Sequence, residues 1–341
     1  MNPALKAFYA LCVVAAVMAC SMHWFVLSHG GDTWRGAMLG AMVSGSAERP
    51  YVYRWLVPKL LSGADQLAPE ALRASANESL ALWRDQMAAQ WPLPDRLHRA
   101  VSDKNSLFMR FCWWGVIVLS LAAMTISMHR LAQRQWPSVP QAPAMLVVIA
   151  WGLILALPAP VLYLYDPPAL ALSALGLYAL AAGRWRLFVL AFALASFNKE
   201  SSLVLLVMAT WLAMRSEAAW PPRRWIIWLW GFWLIARAAA MVIFRDNPGL
   251  VFETQYWPYY LSHPEWLALL AAGCALLCAA VRRMNELLKA SAGVITMMVV
   301  AYAAVGKPGE LRVFYDVVPM MSLVRMQAVM NLAERLKKSR R

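Results

Sequence analysis

The chain has 341 residues, of which 61% are hydrophobic and only 15% are charged. Soluble domains average about 25% charged residues, so this composition excludes an ordinary soluble domain, a disordered chain and a collagen. The five cysteines show no paired spacing and lie in apolar runs, so we interpret them as small buried hydrophobic residues. The composition is therefore that of a membrane protein.

Long apolar runs predict an all-α polytopic membrane protein with about ten transmembrane helices. A bilayer core of about 30 Å needs roughly 20 apolar residues of helix, and lipid requires each spanning segment to satisfy its own backbone hydrogen bonds. We interpret the first run as an uncleaved span and not as a signal peptide, because it is long and no A-x-A site follows it. The predicted spans cover residues 7–28, 106–128, 143–164, 167–183, 185–197, 200–214, 225–244, 264–281, 288–306 and 311–333.

Two polar interruptions divide the apolar stretch between 166 and 214. The first is the basic turn Gly183-Arg184-Trp185-Arg186, and the second is Asn198-Lys199-Glu200. The helices predicted on either side of the second interruption are short for a full crossing at about 1.5 Å per residue. We predict one integral membrane domain over 1–341, with a helical outer-face subregion at 29–105 inserted between the first two spans. Within this subregion, 51–63 is predicted to be an amphipathic interfacial segment and 67–103 a charged helix.

The net charge of +14 is distributed unequally between the two sets of connections. One set holds sixteen of the 32 basic residues but only three of the 18 acidic ones. The positive-inside rule places this set, with both termini, in the cytoplasm, most simply at a bacterial inner membrane. We therefore interpret the excess charge as a topology signal and exclude nucleic acid as a partner. The sixteen residues are Lys6, Arg130, Arg134, Arg184, Arg186, Arg215, Arg223, Arg224, Arg282, Arg283, Lys289, Arg335, Lys337, Lys338, Arg340 and Arg341.

The outer connections carry ionisable residues close to apolar helix ends, where such groups are costly and are functional candidates by default. Each also has a structural interpretation: Asp166 before two prolines can cap a helix, Lys199 and Glu200 can neutralise each other, and Arg237 and Asp316 can form one pair inside the spans. The five histidines show no ligand spacing, so no metal or other cofactor is indicated. The outer candidates are Asp32, Arg49, Arg54, Asp166, Lys199, Glu200, Glu310 and Arg312.

These residue types suit sugar transfer from a lipid-linked phosphate. Guanidinium and ammonium groups bind phosphate, and a nearby carboxylate can take the proton of an acceptor hydroxyl. The expected partners are membrane lipids, a polyprenyl-phosphate sugar donor and a glycan or lipid acceptor. The alternatives are a non-catalytic transporter or flippase, which interrupted helices also favour, and a scaffold in envelope polysaccharide assembly or export.

Several short motifs resemble the GT-C superfamily of multi-spanning, lipid-linked-sugar-dependent glycosyltransferases. They are Asp32 after the first span, Arg49-Pro50-Tyr51-Val52-Tyr53-Arg54, Tyr165-Asp166-Pro167, Asn198-Lys199-Glu200-Ser201 and Glu310-Leu311-Arg312. The superfamily often carries a pair of acids in the first outer loop, whereas Asp32 here stands alone. This resemblance implies a GT-C-like fold with Asp32 as the catalytic base. It further implies that Arg54, Arg312 and Lys199 bind the donor phosphate, and that substrate is bound or oriented by Arg49, Tyr53, Asp166, Asn198, Glu200 and Glu310.

Overall fold

The computed structural model describes residues 3–28, 31, 35–90, 107–157, 162–215, 223–249, 285–305 and 311–339, with a few helical positions between 262 and 275. These residues form an all-helical bundle in which β-type pairing is limited to one isolated bridge, between Arg49 and Gly249. Short 3-10 segments cover Arg35–Ala37, Tyr51–Tyr53, Glu200–Ser202 and Leu311–Val317. The α-helices are α1 Pro3–Leu27, α2 Leu39–Ser44, α3 Leu56–Leu67, α4 Glu70–Gln90, α5 Leu107–Gln135, α6 Ala142–Ala156, α7 Asp166–Ala181, α8 Trp185–Asn198, α9 Leu203–Arg215, α10 Arg223–Ile243, α11 Glu286–Val305 and α12 Val318–Ser339.

Four helical runs within the described residues are long and apolar enough to cross a membrane: Ala7–Leu27, Leu107–Gln135, Arg223–Ile243 and Val313–Leu336. Their outward faces carry large apolar side chains, such as Leu119 and Ile235, which are each 70% exposed. Large exposed apolar surfaces are unusual in soluble proteins and suit contact with lipid. The all-helical class and the membrane-protein assignment are confirmed at this level, and the count of ten spans stays a prediction.

Several boundaries differ from the sequence prediction. The helix predicted for 143–164 ends at Ala156, because Pro158 lacks an N–H group and disfavours helical geometry at the preceding residue. The run predicted for 311–333 starts with a 3-10 segment and becomes α-helical at Val318. The predicted interfacial segment 51–63 is a 3-10 turn followed by α3, and the predicted span 264–281 lies mostly outside the described residues.

The two predicted interruptions of the 166–214 stretch are confirmed. Gly183 adopts a left-handed conformation with a φ of 68°. The Arg184 backbone N–H donates to the Ala179 carbonyl, and this hydrogen bond caps the end of α7. At the second interruption, Lys199 is extended, with a φ of −160° and a ψ of 147°. Successive side chains of extended backbone point in opposite directions, so Lys199 and Glu200 project to different sides of the same break.

The helices run between two ends of the bundle, which we name by their contacts. At the far end, the Arg134 side chain donates to the Ala181 carbonyl, Asn285 contacts Gln135, and Arg223 donates to the Ala213 carbonyl. At the opposite end, the site end, Asn198 contacts Tyr165 and Lys199 contacts Asp316. Three of the basic positions that the sequence groups together, Arg134, Arg184 and Arg223, lie in or beside turns at the far end.

A connection at the site end joins the first long loop to the end of α10. The Asn247 side-chain amide donates to the carbonyl oxygens of Gly45 (2.8 Å) and Ala47 (2.9 Å). Gly249 has a φ of 97°, and a side chain there would place Cβ 2.6 Å from the Arg49 carbonyl oxygen. The two segments therefore lie in close backbone contact, which fixes the chain that leads to Arg54.

Asn247→Ala is expected to destabilise the protein by about 1–3 kcal/mol, because two carbonyl groups lose their side-chain donor. Thermal unfolding of purified protein in detergent measures this loss. Asp246→Ala is the matched control, since the side chain of Asp246 is 89% exposed one residue away. Equal unfolding temperatures for the two variants would show that the Asn247 contacts do not hold this connection.

Candidate functional site

Six ionisable side chains from distant parts of the sequence meet at the site end, and we call them the ionic cluster. They come from the turn before α3, the start of α7, the break between α8 and α9, the interior of α10 and the 3-10 segment before α12. Three are basic and three are acidic. The members are Arg54, Asp166, Lys199, Glu200, Arg237 and Asp316.

Arg54 and Glu200 form a forked ion pair across 146 residues of sequence. Arg54 Nε donates to Glu200 Oε2 at 3.0 Å, and Arg54 Nη2 donates to Oε1. The arginine side chain is 11% exposed, whereas the glutamate side chain is 44% exposed. The predicted neutralisation of Lys199 by Glu200 is therefore replaced by a pair with Arg54, because the extended backbone directs the two neighbouring side chains apart.

The Arg54 guanidinium keeps Glu200 ionised. Arg54 donates to both carboxylate oxygens, and the opposite charge and these two hydrogen bonds favour the ionised carboxylate. The pair therefore stays charged throughout the physiological pH range.

Lys199 lies between two buried carboxylates. Its Nζ is 2.8 Å from Asp316 Oδ2 and 3.3 Å from Asp166 Oδ1. Burial lowers the pKa of the Lys199 ammonium, but the charges of Asp316 and Asp166 outweigh burial and raise that pKa above its ordinary value. Asp166 also accepts a hydrogen bond from the Tyr163 backbone N–H at 3.0 Å. The ammonium thus joins the start of α7 to the segment that precedes α12.

Arg237 projects from α10 toward the carboxylate of the Arg54–Glu200 pair. Its residue is 8% exposed, and Nη1 lies 4.0 Å from Glu200 Oε2. Its Nε and Nη2 atoms are buried and have no hydrogen-bond partner among the described residues. A buried donor without a hydrogen-bond partner costs about 1–3 kcal/mol of folding free energy. An additional acceptor that binds these two nitrogens would recover part of that cost. The hypothesis that Arg237 pairs with Asp316 is wrong, because Lys199 occupies the Asp316 carboxylate.

Three tyrosines line the cluster, a feature that the sequence analysis missed. The rings of Tyr51, Tyr163 and Tyr165 stack in a row, with centroids 5.2 Å and 5.4 Å apart. The Arg54 guanidinium lies 4.2 Å from the centroid of Tyr165, a distance at which the ring face attracts a cation. The available signal was the position of Tyr163 and Tyr165 directly before Asp166 in the sequence, in the turn that precedes α7.

The structure brings together only part of the predicted site. Asn198 is fully buried, and its amide donates to the Tyr165 carbonyl at 2.8 Å. Arg49 lies outside the cluster and donates to the Gly249 carbonyl at 2.8 Å, while Tyr53 is buried in the core. For Arg312, the structure describes the backbone and not the side chain. The remaining two predicted residues, Asp32 and Glu310, lie outside the described residues.

The neighbour of Asp32 in the sequence lies close to the cluster. Gly31 approaches Leu164 so closely that a Cβ atom at Gly31 would be 3.4 Å from Leu164 Cδ2. Leu164 is two residues from Asp166, whose carboxylate contacts Lys199. Gly31 therefore lies beside the segment that leads into α7 and the ionic cluster.

Two cavities accompany the described helices. One, small, lies beside Lys199 and is lined by Ser173, Ser201, Ser202 and Asp316 among others. The other, of about 640 Å³, lies between α3 and α4 and is lined mainly by polar and acidic side chains. The described residues contain no group of three or more His, Cys, Asp or Glu side chains arranged to hold a metal ion. The ionic cluster, with three cations, three carboxylates and two unpartnered donors of Arg237, is the principal candidate site among the described residues.

Comparison with known proteins adds no family assignment. The chain matches no protein-family model, no curated protein and no solved structure. The function is consequently argued from the ionic cluster and its position at one end of an apolar helical bundle.

Proposed function

We propose that the chain transfers a sugar from a polyprenyl-phosphate donor to a lipid or glycan acceptor at the outer face of a bacterial inner membrane. The proposed architecture is GT-C-like with ten spans. The observation that carries this proposal is the meeting of Arg54, Glu200 and Arg237 at one end of an apolar bundle. The six members of the cluster sum to zero charge, but these three leave one positive charge, which suits a phosphate ester at the membrane interface.

The charge asymmetry supports the outward orientation. The basic turns lie at the far end, and the positive-inside rule places such turns in the cytoplasm. The ionic cluster at the opposite end then faces outward, where polyprenyl-linked sugars are within reach of an acceptor. Both termini are cytoplasmic in this arrangement.

The proposed reaction is a displacement at the anomeric carbon of the donor sugar. The acceptor oxygen forms a bond to this carbon as the bond from carbon to phosphate oxygen breaks. Asp32 takes the proton of the acceptor hydroxyl, and polyprenyl phosphate leaves with the bonding electron pair. Arg54 stabilises the negative charge that develops on the phosphate, and Glu200 orients the Arg54 fork through its two hydrogen bonds.

Other residues keep their predicted roles in this proposal. Lys199 and Arg312 are further candidates for the donor phosphate, although the Lys199 ammonium already contacts two carboxylates. Asp166, Asn198 and Glu310 are proposed to orient these groups or to bind sugar hydroxyls. Arg49 and Tyr53 are proposed to position the turn that carries Arg54, which follows Tyr53 directly.

A transporter or flippase is the second candidate. It is favoured by the interruption of helix at Lys199–Ser202 beside a buried ion pair, a combination that marks substrate sites in many transporters. A transporter would move the lipid-linked sugar between leaflets without breaking its bond to phosphate. Measuring donor cleavage and lipid movement in the same vesicles therefore separates the two functions.

The test reconstitutes the purified protein in vesicles that contain labelled polyprenyl-phosphate donors carrying a hexose, a pentose or an aminohexose. We expect one of these donors to be consumed, with release of polyprenyl phosphate. Arg54→Lys is expected to lower the rate about tenfold, because an ammonium cannot make the two parallel hydrogen bonds to Glu200 that orient the charge of Arg54. Arg73→Lys is the matched control, since Arg73 forms a partly exposed pair with Asp65. Lipid movement without donor cleavage would replace the transferase proposal with the transporter.

A further inference from the structure

We propose that Arg237 binds an anionic phosphate ester delivered from the lipid phase. This inference rests on the proposed function and names a phosphate contact that the sequence did not assign. It starts from the two donors of Arg237 that are buried and have no partner among the described residues. Its nearest carboxylate oxygen, Glu200 Oε2, is 4.0 Å away and already accepts a hydrogen bond from Arg54 Nε.

The geometry leaves the Arg237 fork available while the Arg54 fork is occupied. Arg54 directs two donors to the two oxygens of Glu200. Arg237 reaches the same carboxylate with one nitrogen at the limit of an ion pair, so most of its donor capacity is unused. A phosphate has three or more acceptor oxygens and can satisfy a guanidinium with two parallel hydrogen bonds.

The position of Arg237 on α10 indicates a ligand that approaches from lipid. Arg237 precedes the end of the helix at Ile243 by six residues, or about 9 Å of helix. Leu234 and Met241, three residues before and four residues after Arg237 on the same side of the helix, are 57% and 41% exposed. A phosphate attached to an apolar chain can approach Arg237 along this surface. A free ion would have to give up its hydration to reach Arg237 below the helix end, and that desolvation is costly.

Glu200 acts as the internal competitor of this ligand. Its carboxylate contacts both guanidiniums, and its side chain is 44% exposed. An incoming phosphate therefore shares the two cations with Glu200 or displaces it from Arg237. Removing the charge of Glu200 while keeping its shape is then expected to strengthen phosphate binding, an effect that a purely structural Arg237 would not produce.

The test measures binding of a short polyprenyl phosphate to the protein in nanodiscs by native mass spectrometry. Uncharged polyprenol and inorganic phosphate are the comparison ligands. We expect Arg237→Gln to weaken polyprenyl phosphate binding at least tenfold and Glu200→Gln to strengthen it severalfold. Arg245→Gln is the matched control, because Arg245 lies just beyond the same helix and its side chain is 75% exposed. Binding of polyprenyl phosphate in preference to both comparison ligands would support a lipid ligand.

Two results would overturn the inference. The first is equal affinity of Arg237→Gln and the wild-type protein for polyprenyl phosphate. The second is weaker binding by Glu200→Gln, which would make the carboxylate a requirement and not a competitor. If Arg237→Gln does not yield folded protein, Arg237→Lys carries the test, and unchanged affinity in that variant overturns the bidentate contact. Arg237-dependent competition by inorganic phosphate would support the anion site and assign it to a free ion.

Failure of the proposed transfer is distinguishable from failure of this inference. If the protein binds polyprenyl phosphate through Arg237 but never cleaves a donor, the Arg237 site is supported and the transferase function is contradicted. If the protein cleaves a donor equally well with and without the Arg237 guanidinium, the transferase function is supported and the Arg237 site is contradicted.

Discussion

Replacing Lys199 with methionine is expected to destabilise the folded protein by about 3–5 kcal/mol, because two buried carboxylates would lose their shared cation. Asp316 and Asp166 lie 2.8 Å and 3.3 Å from the ammonium, and each belongs to a different packed segment. Methionine keeps much of the apolar volume of lysine, so the loss would come from charge and not from a cavity. The measurement is the unfolding temperature and the folded yield of purified protein in detergent.

Second-site replacement gives this prediction an internal check. Adding Asp316→Asn to Lys199→Met removes one uncompensated charge and is expected to recover part of the lost stability. Lys289→Met is the matched control, since Lys289 pairs with Glu286 at 2.7 Å at the far end with 33% of its side chain exposed. Surface pairs contribute about 0–1 kcal/mol, so this control should change little. Equal losses in the Lys199 and Lys289 variants would show that the buried ammonium does not stabilise the site end.

Asp32→Asn is expected to reduce sugar transfer by about 10²–10⁴-fold, the usual contribution of a general base. Asparagine keeps the size of the side chain and removes its ability to accept the acceptor proton. Gly31, which precedes Asp32 in the sequence, lies beside Leu164, two residues from Asp166. The measurement is the initial rate of donor consumption in reconstituted vesicles.

The control for this prediction is a carboxylate in the same loop and away from the cluster. Asp65→Asn removes a partly exposed partner of Arg73 and should leave the transfer rate unchanged. Membrane insertion and unfolding temperature of Asp32→Asn should match the wild-type protein, so that loss of activity is not loss of fold. Full activity in Asp32→Asn would remove this residue from the chemistry and leave the base to be found among the other outer carboxylates.

The helices could be predicted from the sequence because their signal is local. Apolar runs define α1, α5 and α10, and polar interruptions define the turns at Gly183 and Lys199. The early end of α6 could also have been predicted, since Pro158 and Pro160 follow it directly. Side-chain volume and hydrogen bonding within one segment decide these features, so they need no knowledge of the neighbouring helices.

The ion pairs could not be predicted in the same way, because each joins segments more than a hundred residues apart or depends on rotation about a helix axis. The sequence identified Arg237 and Asp316 as charges within spans and paired them by opposite sign. The structure places Asp316 in a 3-10 segment beside Lys199, and Arg237 on α10 beside Glu200. The extended conformation of Lys199 decides this outcome, since it directs consecutive charges to different partners.

The orientation of the ionic cluster is tested most directly by cysteine labelling in a variant that lacks Cys12, Cys20, Cys112, Cys274 and Cys278. Asp246→Cys reports the site end and Gln133→Cys the far end, and both positions are exposed. We predict that a membrane-impermeant maleimide labels Asp246→Cys in intact spheroplasts and labels Gln133→Cys only after the membrane is permeabilised. The reverse pattern would place the ionic cluster in the cytoplasm and contradict sugar transfer at the outer face.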